Sequence, residues 1–208
     1  LGFTAPTIWY LARLELASGG VIGGTIPGVP AVLIGRSDQM GWGLTTAYLD
    51  DQDVVIEKLN PQNPGEYALP DGTWAKFDSR QTIVTVKDAE PVTLTLRWSR
   101  NGPVLPGTHY DLATITPPGH VAALAWTALA PGDTSMTAAL RMMRAGTVAE
   151  AQEAGKLAVA PAQNLMLADK DGIALQVVGA LPARDPGNPG QGRLPVLGAD
   201  PRAGFKGV

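Results

Sequence analysis

The most concentrated polar chemistry in this chain lies in the run Asp50-Asp51-Gln52-Asp53. Carboxylates at positions i and i+3, with a main-chain carbonyl between them, can converge on one hard cation such as calcium. The run lacks the glycine and distal glutamate of the twelve-residue EF-hand loop. A solvated acidic turn fits the same spacing. A glycosidase-type acid/base pair fits less well, because adjacent carboxylates do not set the separation that chemistry needs. Immediately upstream, Trp42-Gly43-Leu44-Thr45-Thr46-Ala47 is a small-residue stretch after a Trp-Gly pair. Such a strand could aim a main-chain N–H at a developing oxyanion. An ordinary buried strand is the other reading of those residues.

Other chemistries find little support. The two histidines, His109 and His120, have no His, Asp or Glu neighbour at metal-ligand spacing. There is no G-x-S-x-G elbow and no G-x-G-x-x-G leading into a helix. Cysteine is absent, which excludes disulfides, thiolate metal sites and a cysteine nucleophile from these residues. The 208 residues carry a net charge of -3 and no basic stripe, so nucleic acid is an unfavoured partner. No apolar run has the length of a membrane-spanning helix. With 45% apolar and 17% charged residues, the composition supports a packed core. The sequences at Leu1-Gly2-Phe3 and Ala203 to Val208 read as cut ends, so the chain is expected to be an internal piece of a larger protein.

The elements that must position these residues read as α+β, mostly antiparallel. Residues 1 to 60 are taken as strands that would carry both the oxyanion segment and the acidic corner. Thr7 to Leu16 ends in strict alternation and suits a strand, and Gly19, Gly20, Gly23 and Gly24 read as breaks after it. Ala31 to Gly35 reads as a short buried strand, and Arg36 to Gln39 as a polar loop. Trp42 to Tyr48 and Val54 to Ile56 resume extended character. Residues 61 to 130 read as a β meander, with a tight turn at Pro70 to Thr73 and a hairpin joining Thr82–Val86 to Val92–Trp98. Residues 131 to 181 should hold two helices, between 134 and 159, and a hairpin. The first helix places Met136, Leu140 and Met143 on one face, and Thr147 to Glu150 fits a capping box at the second. The hairpin joins Asn164–Asp169 to Ile173–Val178. Residues 182 to 208 read as a Pro/Gly-rich loop.

Taken in order, these segments form a family pattern. Ile8-Trp9-Tyr10 precedes Gly24-Thr25-Ile26-Pro27-Gly28-Val29-Pro30 and Leu33-Ile34-Gly35-Arg36-Ser37. Met40 to Thr46, Asp50 to Asp53 and Glu57-Lys58-Leu59-Asn60 follow. Arg100-Asn101-Gly102-Pro103-Val104, Leu124-Ala125-Trp126-Thr127, Pro161-Ala162-Gln163-Asn164 and Ala168-Asp169 complete the series. Each piece is weak and the ordered succession is specific. It resembles the early β chain of the penicillin acylase family of N-terminal-nucleophile hydrolases, along nearly the whole chain.

That resemblance implies a four-layer αββα sandwich and an exported, periplasmic or secreted, heterodimer cut from one precursor. It implies an acylase that removes an acyl group from a β-lactam or another N-acyl amide by means of a serine whose own α-amine is the base. Thr46 aligns with the main-chain oxyanion donor. Leu1, Ile34, Leu44, Trp126 and Gln163 align with the acyl pocket, although Leu44 and Trp126 read equally well as plain core. Asp50, Gln52 (through its carbonyl) and Asp53 align with calcium ligands, with a further ligand expected from the α chain. Asn164 is read as structural. No organic cofactor is implied. The expected partners are the α chain, the rest of the β chain and a small amide substrate. The nucleophile, a side chain assisting it and the asparagine completing the oxyanion hole should lie outside these residues. The 208-residue piece is therefore expected to be inert by itself and, with apolar strand faces uncovered, to self-associate. The rival from another class is a non-catalytic β-rich module that binds a ligand or calcium.

Overall fold

The computed structural model describes residues 5–17 and 19–208. Its strands run β1 (Tyr10–Leu16), β2 (Gly19–Thr25), β3 (Ile34–Ser37), β4 (Met40–Thr46), β5 (Gln52–Asn60), β6 (Asn63–Ala68), β7 (Trp74–Lys76), β8 (Asp78–Val84), β9 (Val92–Ser99), β10 (Gly102–Leu105) and β11 (His120–Trp126). Two helices follow, α1 (Ser135–Met142) and α2 (Val148–Gly155). Then come β12 (Gln163–Asp169), β13 (Ile173–Val178), β14 (Ala183–Arg184), β15 (Val196–Leu197) and β16 (Phe205–Gly207), with short 3-10 turns at His109–Thr114 and Thr127–Leu129. This is the α+β, largely antiparallel architecture expected. It divides into two compact units, each built from two separate stretches: residues 1–49 with 130–181, and 50–129 with 182–208.

The first unit is one sheet in the order β1-β2-β3-β4-β12-β13, covered on one face by α1 and α2. Alternation along β4, β12 and β13 sends Met40, Trp42, Leu165, Leu167 and Val178 into a core with Val21, Val32, Met142, Ala151 and Ala154. The opposite face carries exposed Leu11, Ile22, Ile34, Met166, Leu175 and Val177. The hairpin β12–β13 forms as expected, and Asp169 Oδ1 closes its turn by accepting the N–H groups of Asp171 and Gly172. Thr147 Oγ1 accepts the Glu150 N–H at 3.2 Å as a capping box requires, while Glu150 reaches back to the Gly146 N–H at 2.8 Å, one residue earlier than the usual partner.

Three local expectations need correction. The stretch containing Gly19, Gly20, Gly23 and Gly24 is strand β2, not a set of breaks, since its glycines permit close backbone pairing with β3. Ala31 and Val32 are buried but lie before β3, whose ladder begins at Ile34 and takes in Arg36 and Ser37. Val32 meets its main-chain needs elsewhere: its N–H faces Met143 Sδ at 3.2 Å, and its carbonyl accepts Trp42 Nε1 at 3.2 Å. In α1, Ala138 and Met142 are buried while Met136 and Leu140 are exposed, so the buried face is rotated from the one read off the sequence.

The second unit is a sheet ordered β7-β6-β5-β11-β10-β9-β8, with β15 added in parallel to β5. The β8–β9 hairpin pairs Val84 with Val92, as the sequence indicated. The residues after Pro182 are more ordered than a loop. They supply β14, β15 and β16, and Val196, Ala203 and Phe205 pack on Val55 and Ala125.

Candidate active site

Thr46 is the last residue of β4, opposite Gln163 of β12. The next residue, Ala47, donates its N–H to the Ala162 carbonyl at 3.3 Å. Opposed residues in an antiparallel ladder alternate between bonded and non-bonded pairs, so Thr45–Asn164 is bonded and Thr46–Gln163 is not. The Thr46 N–H therefore points away from β12, toward the β3 side. There the register Gly35–Trp42 sets Ala31 level with Thr46, before β3 begins. Among the described residues neither neighbouring ladder takes this N–H, and Thr46 itself is exposed. A main-chain donor at a strand end, outside the ladder and reachable from solvent, has the character an oxyanion site needs.

The residues aligned with an acyl pocket do not all share one surface. Ile34 lines an apolar hollow of about 490 Å³ with Trp9, Tyr10, Leu11, Gly24, Gly35 and Trp42. Leu44 packs against the helix-covered core, and cross-strand pairing puts Gln163 with Thr46 on that same side of the sheet. Ile34 belongs to the opposite face. Trp126, in the second unit, pairs with Gln52 and donates Nε1 to Asp51 Oδ2 at 3.3 Å. Leu1 lies outside the described residues.

The acidic run opens β5. Asp53 points into the second unit with its side chain 5% exposed, and Asp50 is half in solvent. Both meet Arg184. Its Nε and Nη2 reach Asp53 at 3.0 Å in a forked contact, and Nη2 also reaches Asp50 Oδ1 and the Asp50 carbonyl at 3.1 Å. The guanidinium lies over the Phe205 ring, 5.6 Å from its centre. Hydrogen bonding to Asp53 raises the Arg184 pKa above its ordinary value, against the opposing effect of burial. Among the described residues no three His, Cys, Asp or Glu side chains are grouped to hold a metal ion. The two carboxylates and the Asp50 carbonyl converge on the Arg184 guanidinium, so a calcium ion at this corner would have to displace Arg184 and would still lack most of the six to eight oxygens it takes.

Sequence reasoning missed Arg184 as a site residue, since it lies in a Pro/Gly-rich stretch beside Asp185 while its partners in the fold are Asp50 and Asp53. It also left Asn164 without a task. In the structure Asn164 Nδ2 donates to Thr45 Oγ1 and to the Thr46 carbonyl, each at 3.2 Å.

The penicillin amidase family pattern matches residues 1–208, and the chain belongs to that family. Similar relatives include the acyl-homoserine lactone acylase QuiP of Pseudomonas aeruginosa, 28% identical over 100% of this chain and 25% of that protein. Penicillin G acylase of Escherichia coli is 32% identical over 95% of this chain and 22% of its own. The fold is shared with the thermostable penicillin G acylase of Alcaligenes faecalis, with a TM-score of 0.82 at 24% identity over 100% of this chain and 36% of that one. The chain thus spans about a quarter of the length of the curated relatives it matches.

Proposed function

We propose that these residues form part of an acylase that hydrolyses an N-acyl amide, a β-lactam side chain or an acyl-homoserine lactone being the two substrate classes that its relatives' names point to. The observation that carries this reading is the Thr46 N–H, presented at the end of β4 outside both ladders. In this reading it receives charge from the substrate carbonyl oxygen as the tetrahedral intermediate forms. The nucleophile is assigned to the part of the full-length protein outside these 208 residues, so the isolated piece is inert. Ile34 and the apolar hollow it lines are assigned to acyl-group binding by burial. The full-length protein is proposed to be exported to the periplasm.

The test is removal of the N–H while the backbone path is kept. Thr46→Pro in the full-length protein should lower kcat by about 10²- to 10³-fold on an N-acyl substrate. Thr46→Ala keeps the main-chain donor and should stay within a few-fold of wild type. Equal kcat for the proline variant and wild type would remove the oxyanion role.

An α chain and the remaining β chain are the proposed partners. The uncovered face of the first sheet supports this: Leu11 is 86% exposed and Leu175 67%, and isolated sheets of this kind need a cover. Calcium is proposed at the acidic corner of the assembled protein, held by Asp50, Asp53 and the Gln52 carbonyl in place of the Arg184 guanidinium that occupies those carboxylates here, with its remaining oxygens from other segments. It would act as fixed charge there, not in the reaction. Chelator-treated full-length protein should then take up calcium in a calorimetric titration with a matching rise in melting temperature. A flat titration would dismiss the ion.

A further inference from the structure

We infer that Asn164 is a positioning residue for the oxyanion donor, an inference that rests on the role proposed for Thr46. A strand-end N–H stabilises charge only if its peptide plane is held still before reaction begins. The sheet holds Thr46 from one side only: β4 ends there, β3 does not reach it, and its two peptides are tied to β12 alone, through the bonded Thr45–Asn164 pair and the 3.3 Å bond from the Ala47 N–H to the Ala162 carbonyl. Two residues on, Tyr48 takes a positive φ of 47°, so the chain leaves the sheet direction at once.

The Asn164 side chain adds a second restraint to these main-chain bonds. Its main chain is in the bonded pair with Thr45. Its side chain then extends one residue further. Nδ2 contacts Thr45 Oγ1 at 3.2 Å and the Thr46 carbonyl at 3.2 Å. These two acceptors flank the Thr46 Cα. One belongs to the residue whose carbonyl carbon is bonded to the Thr46 nitrogen, and the other to the peptide that follows. A single amide NH₂, with two donors in a fixed plane, thereby holds the peptide after Thr46 directly and the residue before it through the Thr45 hydroxyl. Aspartate has the same shape but only acceptors when ionised, so it would set a carboxylate against the Thr46 carbonyl.

The experiment compares Asn164→Ala, Asn164→Asp, Thr46→Pro and the Asn164→Ala/Thr46→Pro double variant in the full-length, processed protein. Asn164→Ala should lower kcat by about tenfold to a hundredfold, the scale of a small misplacement, with KM changed less than about twofold. The decisive reading is the double variant. Once Thr46→Pro has removed the N–H, losing Asn164 should cost almost nothing more. If Asn164→Ala does not fold, Asn164→Asp replaces it, with the same expected fall in kcat. Wild-type kcat in a folded Asn164 variant overturns the inference, as does a loss that multiplies fully with that of Thr46→Pro. A Thr46→Pro variant of undiminished kcat overturns the Thr46 reading itself, a separate outcome.

Discussion

Replacing Arg184 with alanine in the full-length protein should cost on the order of 3–5 kcal/mol and lower the melting temperature measurably. The expectation follows from what would be stranded. The Asp53 side chain is 5% exposed and Arg184's is 16%, so water cannot take over when the guanidinium goes. Asp53 would lose its forked partner and remain as a buried charge, which is the costly case. Asp50 adds little, because its side chain is 52% exposed and solvent screens it. Arg184→Lys should recover only part of the loss, since an ammonium cannot make the planar fork or lie over Phe205 as the guanidinium does. The double variant Asp53→Leu/Arg184→Met should be markedly more stable than Arg184→Ala, because no charge is left unpaired. Thermal melts of the set decide the matter. A melting temperature for Arg184→Ala equal to that of wild type would show that the pair is ordinary surface electrostatics.

That ion pair also marks where sequence reasoning stops. Asp53 could be singled out because carboxylates at short spacing are visible in any sequence. Arg184 could not, because its partner lies 131 residues away and the contact exists only once the chain folds back to bring the Arg184 side chain to Asp53. The same division runs through the rest of the fold. The β8–β9 and β12–β13 hairpins were legible because alternation and turn residues are local signals. The buried face of α1 was legible only in part: Met143 packs against the core as its spacing suggests, while Met136 and Leu140 are exposed and packing selects Ala138 and Met142. Thr46 could be marked by resemblance, but the free direction of its N–H depends on the registers of β3, β4 and β12 together. Asn164 reads as an ordinary strand residue until the pairing with β4 brings its amide to Thr46.

Gly23→Ala should abolish recovery of folded protein, whereas Gly43→Ala in the same sheet should be nearly silent. Gly23 and Gly35 face each other across β2 and β3. A Cβ at Gly23 would stand 2.6 Å from the Gly35 Cα and 2.7 Å from Val32 Cγ1, and closer still to the Ile34 carbonyl oxygen. Two of those three neighbours are main chain, so no side-chain rotation can relieve the overlap. The strands must part. Parting them breaks the Gly24–Ile34 and Ile22–Arg36 pairings, pulls Val32 from the core it shares with Trp42, and opens the hollow beside Ile34. Losses of that kind exceed about 4 kcal/mol, a large share of a domain's whole stability. At Gly43 the nearest atom to an added Cβ is Met166 Cε at 3.6 Å, an ordinary contact with a flexible side chain. Alanine there should shift stability by no more than about 0.5 kcal/mol. Soluble yield and melting temperature of the two full-length variants make the comparison. A Gly23→Ala protein melting within a few degrees of wild type would mean that β2 and β3 need not approach so closely. The glycine-rich stretch would then be the flexible connection that its composition suggests, not a strand that holds Ile34 and, through β3 and β4, the end of the sheet where Thr46 lies.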